Sequence, residues 1–211
     1  MRTKEYTPTS EISEGEDVVE EREHVVNKAA DLVLSVEDLT KFYGKLCALK
    51  RTTYGIEHGE CFGLVGASGS GKTTTFEIIT GFRPASYGTV MLNNGVATRN
   101  VKLGYCPQFD AMLPRLSCFE NVALLAGLTG YRYAERKALE ALHIVDLMEH
   151  RHKAFINCSG GQKRRLSTAA TVISSSELLI LDEPTAGVDP KVGAKLIAEM
   201  DSLIQNVVAR K

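Results

Sequence analysis

The chain has 211 residues, 44% of them hydrophobic and 24% charged, with a net charge of −1. That is enough to bury a real core in one large domain, or in a domain with a tail. The charge gives no reason to propose a nucleic-acid partner. No apolar stretch nears the roughly 20 residues of a membrane-spanning helix, and Met1 to Tyr6 lack the apolar heart of a signal peptide.

Residues 1–31 stand apart from the rest. They hold nine acidic and four basic residues, a net −5 that leaves +4 for the remainder. Few large apolar side chains occur before Leu32. This reads as a mobile acidic tail or linker, with a helix over Glu16 to Ala30. The five cysteines (Cys47, Cys61, Cys106, Cys118, Cys158) are scattered, with no C-x-x-C. Reduced core or near-core thiols are expected rather than disulfides or a metal site.

Leu32 to Leu39 read as a first strand, Thr40 to Gly44 as a turn carrying two aromatics, and Leu46 to Ile56 as further strand. Together they predict a small antiparallel subdomain. Tyr43 is the candidate to stack on a base and Phe42 the candidate to pack. Cys61-Phe62-Gly63-Leu64-Val65 then suits a buried strand. It leads into Gly66-Ala67-Ser68-Gly69-Ser70-Gly71-Lys72-Thr73, which reads G-x-x-x-x-G-K-T, and Thr74 to Thr80 can continue as a helix. Strand, glycine loop and helix are the context of a phosphate cradle. Glycines let backbone N–H groups approach phosphates, and the helix start adds partial positive charge. Lys72 is placed for the β and γ phosphates, and the Thr73 hydroxyl for Mg²⁺.

Gly81-Phe82-Arg83-Pro84 should end that helix. Gly88 to Leu92 and Val101 to Tyr105 read as strands, with Asn93-Asn94-Gly95 as a turn. Gln108 follows the second strand, at the carboxyl edge where open α/β sheets bind ligands; taken alone it is also a plain loop glutamine. Ser117 to Thr129 and Tyr133 to Met148 read as helices, the second with a stripe of Ala138, Leu142, Val145 and Met148. His143, His150 and His152 lack metal-ligand spacing. Ser159 can cap a helix with Leu166, Ala169, Ala170 and Ile173 on its apolar face. Two glycines and the cations Lys163, Arg164 and Arg165 are poor material for a helix start. They suit either a helix start pressed against an anion or a surface basic helix.

Leu178 to Leu181 is an unbroken apolar run ending in Asp182 and Glu183. It fits a central parallel strand buried on both faces, with its carboxyl end beside the phosphate loop. Asp182 would hold Mg²⁺ directly or through water, and Glu183 would deprotonate the attacking water. Asp189 should cap a last helix with Pro190 at its first position and a stripe of Val192, Leu196, Met200, Leu203 and Val207.

In order, the chain shows an aromatic turn, the lysine loop, a strand-end glutamine, C-S-G-G-Q, L-L-I-L-D-E-P and A-G-V-D. This series resembles the nucleotide-binding domain of an ATP-binding cassette (ABC) protein over residues 32–211. Within that family, G-E-C-F-G-L-V-G, G-K-T-T-T-F and G-Y-C-P-Q-F-D-A-M-L-P resemble the lipid-exporting A subfamily. The resemblance implies an α/β fold with a RecA-like phosphate-loop core, a small antiparallel β subdomain, and a helical subdomain at about residues 109–172. It implies an ATPase using ATP and Mg²⁺ and working as a pair of cassettes. The nucleotide would lie on Gly66 to Thr74 and Tyr43 of one cassette, and on Ser159, Gly160, Gly161 and Gln162 of the other, with Asp189 crossing the dimer. Lys72, Gln108 and Glu183 would be catalytic; Thr73, Gln108 and Asp182 would bind metal. The partners implied are a second cassette, in cis or in trans, and transmembrane domains reached through Asp110 to Arg115, at the cytoplasmic face of a membrane.

The family also has a further strand ending in a histidine that contacts the γ-phosphate. All five histidines here precede Asp182. The expectation is therefore a fragment of a transporter that binds ATP, turns over weakly, and leaves a sheet edge open. Two alternatives are a soluble cassette protein of translation or DNA maintenance, and an inactive binding module.

Overall fold

The fold follows from two apolar clusters that share one strand. A computed structural model describes residues 15–28, 31–93, 96–97, 102–109, 111–173, 176–194 and 197–198. Its elements are α1 (Glu16–Asn27), β1 (Leu32–Tyr43), β2 (Leu46–Glu57), α2 (Lys72–Ile79), β3 (Tyr87–Leu92), β4 (Val96–Ala97), β5 (Leu103–Cys106), α3 (Cys118–Leu128), α4 (Ala134–Ile144), α5 (Gly160–Val172) and β6 (Leu178–Leu181).

The antiparallel sheet runs β2-β1-β3-β4, so β1 lies between two partners. Val36, for instance, pairs with Tyr54 on one side and Val90 on the other. β1 continues through Thr40 to Tyr43, where a turn is expected from sequence; cross-strand pairs Phe42–Cys47 and Tyr43–Leu46 hold these residues in the ladder, and the turn is only Gly44-Lys45. Asp38 and Arg51 both have φ near +49° where the β1–β2 register shifts. Arg22 of α1 donates to the Asp38 carboxylate at 2.7 Å and to the Arg51 carbonyl at 3.2 Å, spanning this irregularity. Val25 of the same helix is fully buried, and Lys28 and His24 reach Glu57 at 2.6 and 3.2 Å. Residues 16–27 of the acidic segment are thus a helix docked on the hairpin, because Val25 is buried there and Arg22, His24 and Lys28 find partners on it.

β5 and β6 form a parallel pair, Leu103 to Cys106 against Leu178 to Leu181. The apolar run of β6 serves two faces, but Leu179 and Leu181 are only half-buried, and among the described residues β6 pairs with β5 alone, so it is not the central strand expected from sequence. Leu178 and Ile180 join the cluster of the antiparallel sheet and α2, with Leu34, Val36, Leu49, Ile56 and Ile79. Leu179 and Leu181 pack on the helical cluster built from α3, α4 and α5, where Val122, Leu142, Leu147 and Leu166 are fully buried. Burying a leucine of this kind contributes about 2 kcal/mol. Ala138, Leu142 and Val145 of the predicted stripe are buried and Met148 packs beside them, although α4 ends at Ile144 and a 3₁₀ turn holds Met148–His150. Ser117 closes a capping box with Glu120 at the start of α3.

One expected strand is not in a ladder. Cys61 to Val65 pair with no described strand, and Val65 is 93% exposed. Phe62 stacks face to face on Tyr54 of β2, with ring centroids 5.0 Å apart. A cleft of about 460 Å³ separates Phe62-Gly63-Leu64 from β6 and is lined also by Leu34, Phe76 and Ile79. The run has strand composition, but Phe62 packs on the hairpin and, among the described residues, no strand pairs with the run. Cys61 is accordingly exposed, as is Cys47, against the near-core expectation; Cys106, Cys118 and Cys158 are buried. The turn residues Asn94 and Gly95, and the stripe positions Leu196, Met200, Leu203 and Val207, lie outside the described residues.

Candidate nucleotide-binding site

The glycine loop ends at a helix start that leaves its own amides free of side chains. Gly71 precedes α2 with φ +95°, and no side chain caps the first turn. A Cβ at Gly71 would stand 2.7 Å from the Ala48 carbonyl and 2.6 Å from Leu49, so β2 and this conformation together require glycine. With no acidic side chain in the first turn, the positive end of α2 faces outward beside an exposed loop. Lys72 Nζ donates to the carbonyls of Gly66 at 2.7 Å and Ala67 at 3.0 Å, which holds the loop curled around its own ammonium.

β6 delivers two carboxylates to this loop. Asp182 is 3% exposed, and its Oδ2 accepts from the Thr73 hydroxyl at 2.9 Å. Its amide donates to the Cys106 carbonyl at 2.9 Å, extending the β5–β6 ladder by one rung. Glu183 follows with φ +53°, a left-handed conformation that costs a non-glycine residue about 1–2 kcal/mol. Gln108, two residues beyond β5, donates to Glu183 Oε2 at 3.1 Å. The fold therefore brings Thr73 to Asp182 across 109 residues and Gln108 to Glu183 across 75, with Lys72 lining the same cleft as the two carboxylates. Their electrostatics reach Tyr105, whose hydroxyl is pushed above its usual value by burial and then by the charge of Asp182.

This donor set fits a magnesium nucleotide. A hydroxyl, a carboxylate and an amide oxygen are hard oxygen ligands beside an uncapped helix start, with a lysine held at the loop. Ala67, Ser68, Gly69 and Ser70 are exposed in the loop between Gly66 and Gly71, and Thr74 lies in the first turn of α2.

The remaining predicted residues make their bonds elsewhere. Tyr43 is 38% exposed with Lys41 and Arg83 over its ring at 5.3 and 5.7 Å. It pairs with Leu46, at the end of the hairpin that also contacts Gly71. Phe42 packs edge-on against Tyr87. Asp189 Oδ1 accepts from the amides of Lys191 at 2.9 Å and Val192 at 3.4 Å, the cap expected ahead of Pro190. Ser159 closes a capping box with Gln162, whose side chain also receives Lys153 at 3.0 Å. A Cβ at Gly161 would lie 3.1 Å from the Gly187 carbonyl, whereas Gly160 faces open space.

The basic run of α5 has structural partners that its sequence does not announce. Lys163 lies over the Phe155 ring, and Arg165 donates to the carbonyls of Val145 and Asp146. Arg164 is 7% exposed and turns inward. Its Nε donates to the Glu183 carbonyl at 2.8 Å; Nη1 and Nη2 reach the carbonyls of Pro107 and Asp182. Sequence reasoning placed Arg164 only among three cations. Its register marks it: position 164 shares a helix face with Thr168 and Thr171, both buried. Asn121 was also missed: buried in α3, it bonds Leu113, Leu116 and Ser117 and so sets the loop that follows Gln108.

Comparison with known proteins adds an independent line. The profile of a family described as ABC transporter matches residues 49–186. The chain is 42% identical over 178 residues to the ABC transporter ced-7 of Caenorhabditis elegans, covering 83% of this chain and 10% of that protein. It is 40% identical over 187 residues to human phospholipid-transporting ATPase ABCA7, covering 84% of this chain and 9% of that one. The chain thus spans about a tenth of these relatives. Among solved structures, a dimeric post-hydrolysis form of the cassette MJ0796 bound to ADP and Pi superposes with a TM-score of 0.75 at 27% identity. It covers 82% of this chain and 83% of that one.

Proposed function

This chain belongs to the ABC transporter family, and from that premise we propose that it is an ATP-hydrolysing cassette of an A-type transporter. The observation that carries the reading is the pair of contacts at the loop mouth. Thr73 meets Asp182 at 2.9 Å, and Gln108 meets Glu183 at 3.1 Å. Two strand ends thereby converge on the start of α2, which no side chain caps.

In this reading the backbone amides from Gly66 to Thr73 and the Lys72 ammonium bind the β and γ phosphates. Thr73, Asp182 and Gln108 would hold Mg²⁺, whose chemistry is to neutralise charge that builds on the transferring phosphate. Glu183 accepts a proton from the attacking water, and Gln108 orients the Glu183 carboxylate. Tyr43 offers its exposed edge to the base. Ser159, Gly160 and Gly161 serve the γ-phosphate of a partner cassette, and Asp189 meets that partner, so the chain alone turns over weakly.

Transmembrane segments and a second cassette are the partners this implies, with the chain held at the cytoplasmic face. Among the described residues no helix is long and apolar enough to cross a membrane. The chain's similarity to human phospholipid-transporting ATPase ABCA7 supports a lipid or other hydrophobic cargo. The same reading treats residues 1–31 as an N-terminal segment and 32–211 as the cassette, with a helical subdomain at about 109–172.

The test is titration with a fluorescent ATP analogue, alongside ATPase assays. Lys72→Ala should weaken binding about 100-fold, on the order of 3 kcal/mol, at unchanged thermal stability. Glu183→Gln should keep binding and remove turnover. Equal affinity of Lys72→Ala and wild type would refute the site.

A further inference from the structure

We propose that Arg164 is a positioning residue that ties the Gln108 loop and the Glu183 loop to helix α5, so that base, glutamine and signature helix keep one geometry. The proposal rests on the ATPase reading above for its kinetic consequence, and on geometry alone for the tie.

Three backbone carbonyls from two separate loops converge on one guanidinium. Those of Asp182 and Glu183 follow β6, and that of Pro107 follows β5. The two loops are 75 residues apart in sequence at their facing side chains, Gln108 and Glu183. Three different nitrogens of one planar fork serve the three carbonyls, each at its own fixed place. A lysine is a point charge on a flexible stem, and an apolar residue leaves the carbonyls unmet. Glu183 adopts a left-handed φ of +53°, a conformation that persists only where its surroundings over-determine it. Its carbonyl receives Arg164 Nε at 2.8 Å and the Ala186 amide at 3.1 Å, which pins that conformation from two sides. Arg164 also sits four residues past Gly160, near the start of α5. A shift of the glycine segment therefore reaches the Glu183 backbone through one rigid side chain rather than through the sheet.

The experiment uses the full chain with Arg164→Met and Arg164→Lys, and Glu183→Gln as the floor for turnover. Hydrogen exchange read by mass spectrometry should rise at least about tenfold for peptides spanning 104–109 and 180–186 in Arg164→Met. The phosphate-loop peptide 66–75 should be unchanged, and the Kd of a fluorescent ATP analogue should stay within about threefold. On the kinetic side kcat should fall on the order of 10²-fold with KM nearly constant, because the displaced group acts on the reacting water and not on ground-state binding. Arg164→Lys should lie between wild type and Met on both readouts, and it decides the matter if the Met variant does not fold.

Uniform exchange across all peptides, parallel changes in KM and kcat, or a lysine variant indistinguishable from wild type would each overturn the proposal. Wild-type turnover no higher than the Glu183→Gln floor would instead sink the ATPase reading. The localised exchange pattern then decides the tie by itself.

Discussion

The starts of α2 and α5 both carry glycine, and they are built in opposite ways. α2 follows Gly71 with no side-chain cap and an exposed loop, so its first amides are available to an anion. α5 follows Ser159, which closes a capping box with Gln162 and satisfies part of its own start. At α2 the glycine is forced from within the chain, since a Cβ would strike β2. At α5 the first glycine meets nothing within its own chain. The difference teaches that α2 is complete in one chain, whereas Gly160 is a glycine for which this chain gives no steric reason.

The largest effect expected from breaking this contrast is a pair of alanine substitutions. Gly71→Ala should lower stability by about 2–3 kcal/mol, because φ +95° and the Ala48 carbonyl both oppose a side chain. Gly160→Ala should leave stability unchanged or raise it by up to ~1 kcal/mol, yet cut turnover by on the order of 10²-fold. Denaturant melts and ATPase assays measure both. Full turnover in Gly160→Ala would mean that the α5 start touches no nucleotide.

A smaller effect sharpens the role of the capping box. Ser159→Ala should cost about 1 kcal/mol of stability and leave ATP-analogue affinity at the Lys72 loop unchanged. A calorimetric melt beside a binding titration separates the two. Loss of affinity with no loss of stability would place Ser159 in its own chain's phosphate site instead.

The smallest effect concerns α1, which serves as a control remote from both helix starts. Lys28, by hydrogen bond, and His24 hold the Glu57 carboxyl below its usual value. At Asp38 burial pushes upward, but the hydrogen bonds and charges of Arg22 and Arg51 outweigh it and the net direction is down. A depressed carboxylate contributes stability above its unfolded pKa, and that contribution is lost as pH falls through the folded value. Protection factors within α1, which correct exchange for its intrinsic pH dependence, should therefore fall below about pH 4, and fall with added salt at neutral pH, since these pairs are partly exposed. Protection that is constant from pH 6 to pH 3 would show that Val25 alone holds the helix.

Much of the site was legible because phosphate chemistry demands local patterns. Gly66 to Thr73 must be contiguous to wrap one anion. Asp182 and Glu183 announce themselves by ending an apolar run. Gln108 was readable only as a strand-end residue and gained weight from the others. Arg164 was not legible as a tie, because its partners are backbone carbonyls, and a carbonyl leaves no mark in the sequence. Asn121 was hidden for the same reason. Cys61 to Val65 misled, since apolar content marks a strand but not its neighbour.

By itself, then, the sequence determined the chemistry-bearing loops, the two-sided apolar character of β6, and the helix caps at Ser159 and Asp189. Each depends on residues within a few positions of one another. Tertiary structure alone decided that α1 docks on the hairpin, that Phe62 stacks on Tyr54, and that Arg164 turns inward to three carbonyls. Those outcomes rest on distances between residues remote in the chain, which packing sets and local propensity does not encode.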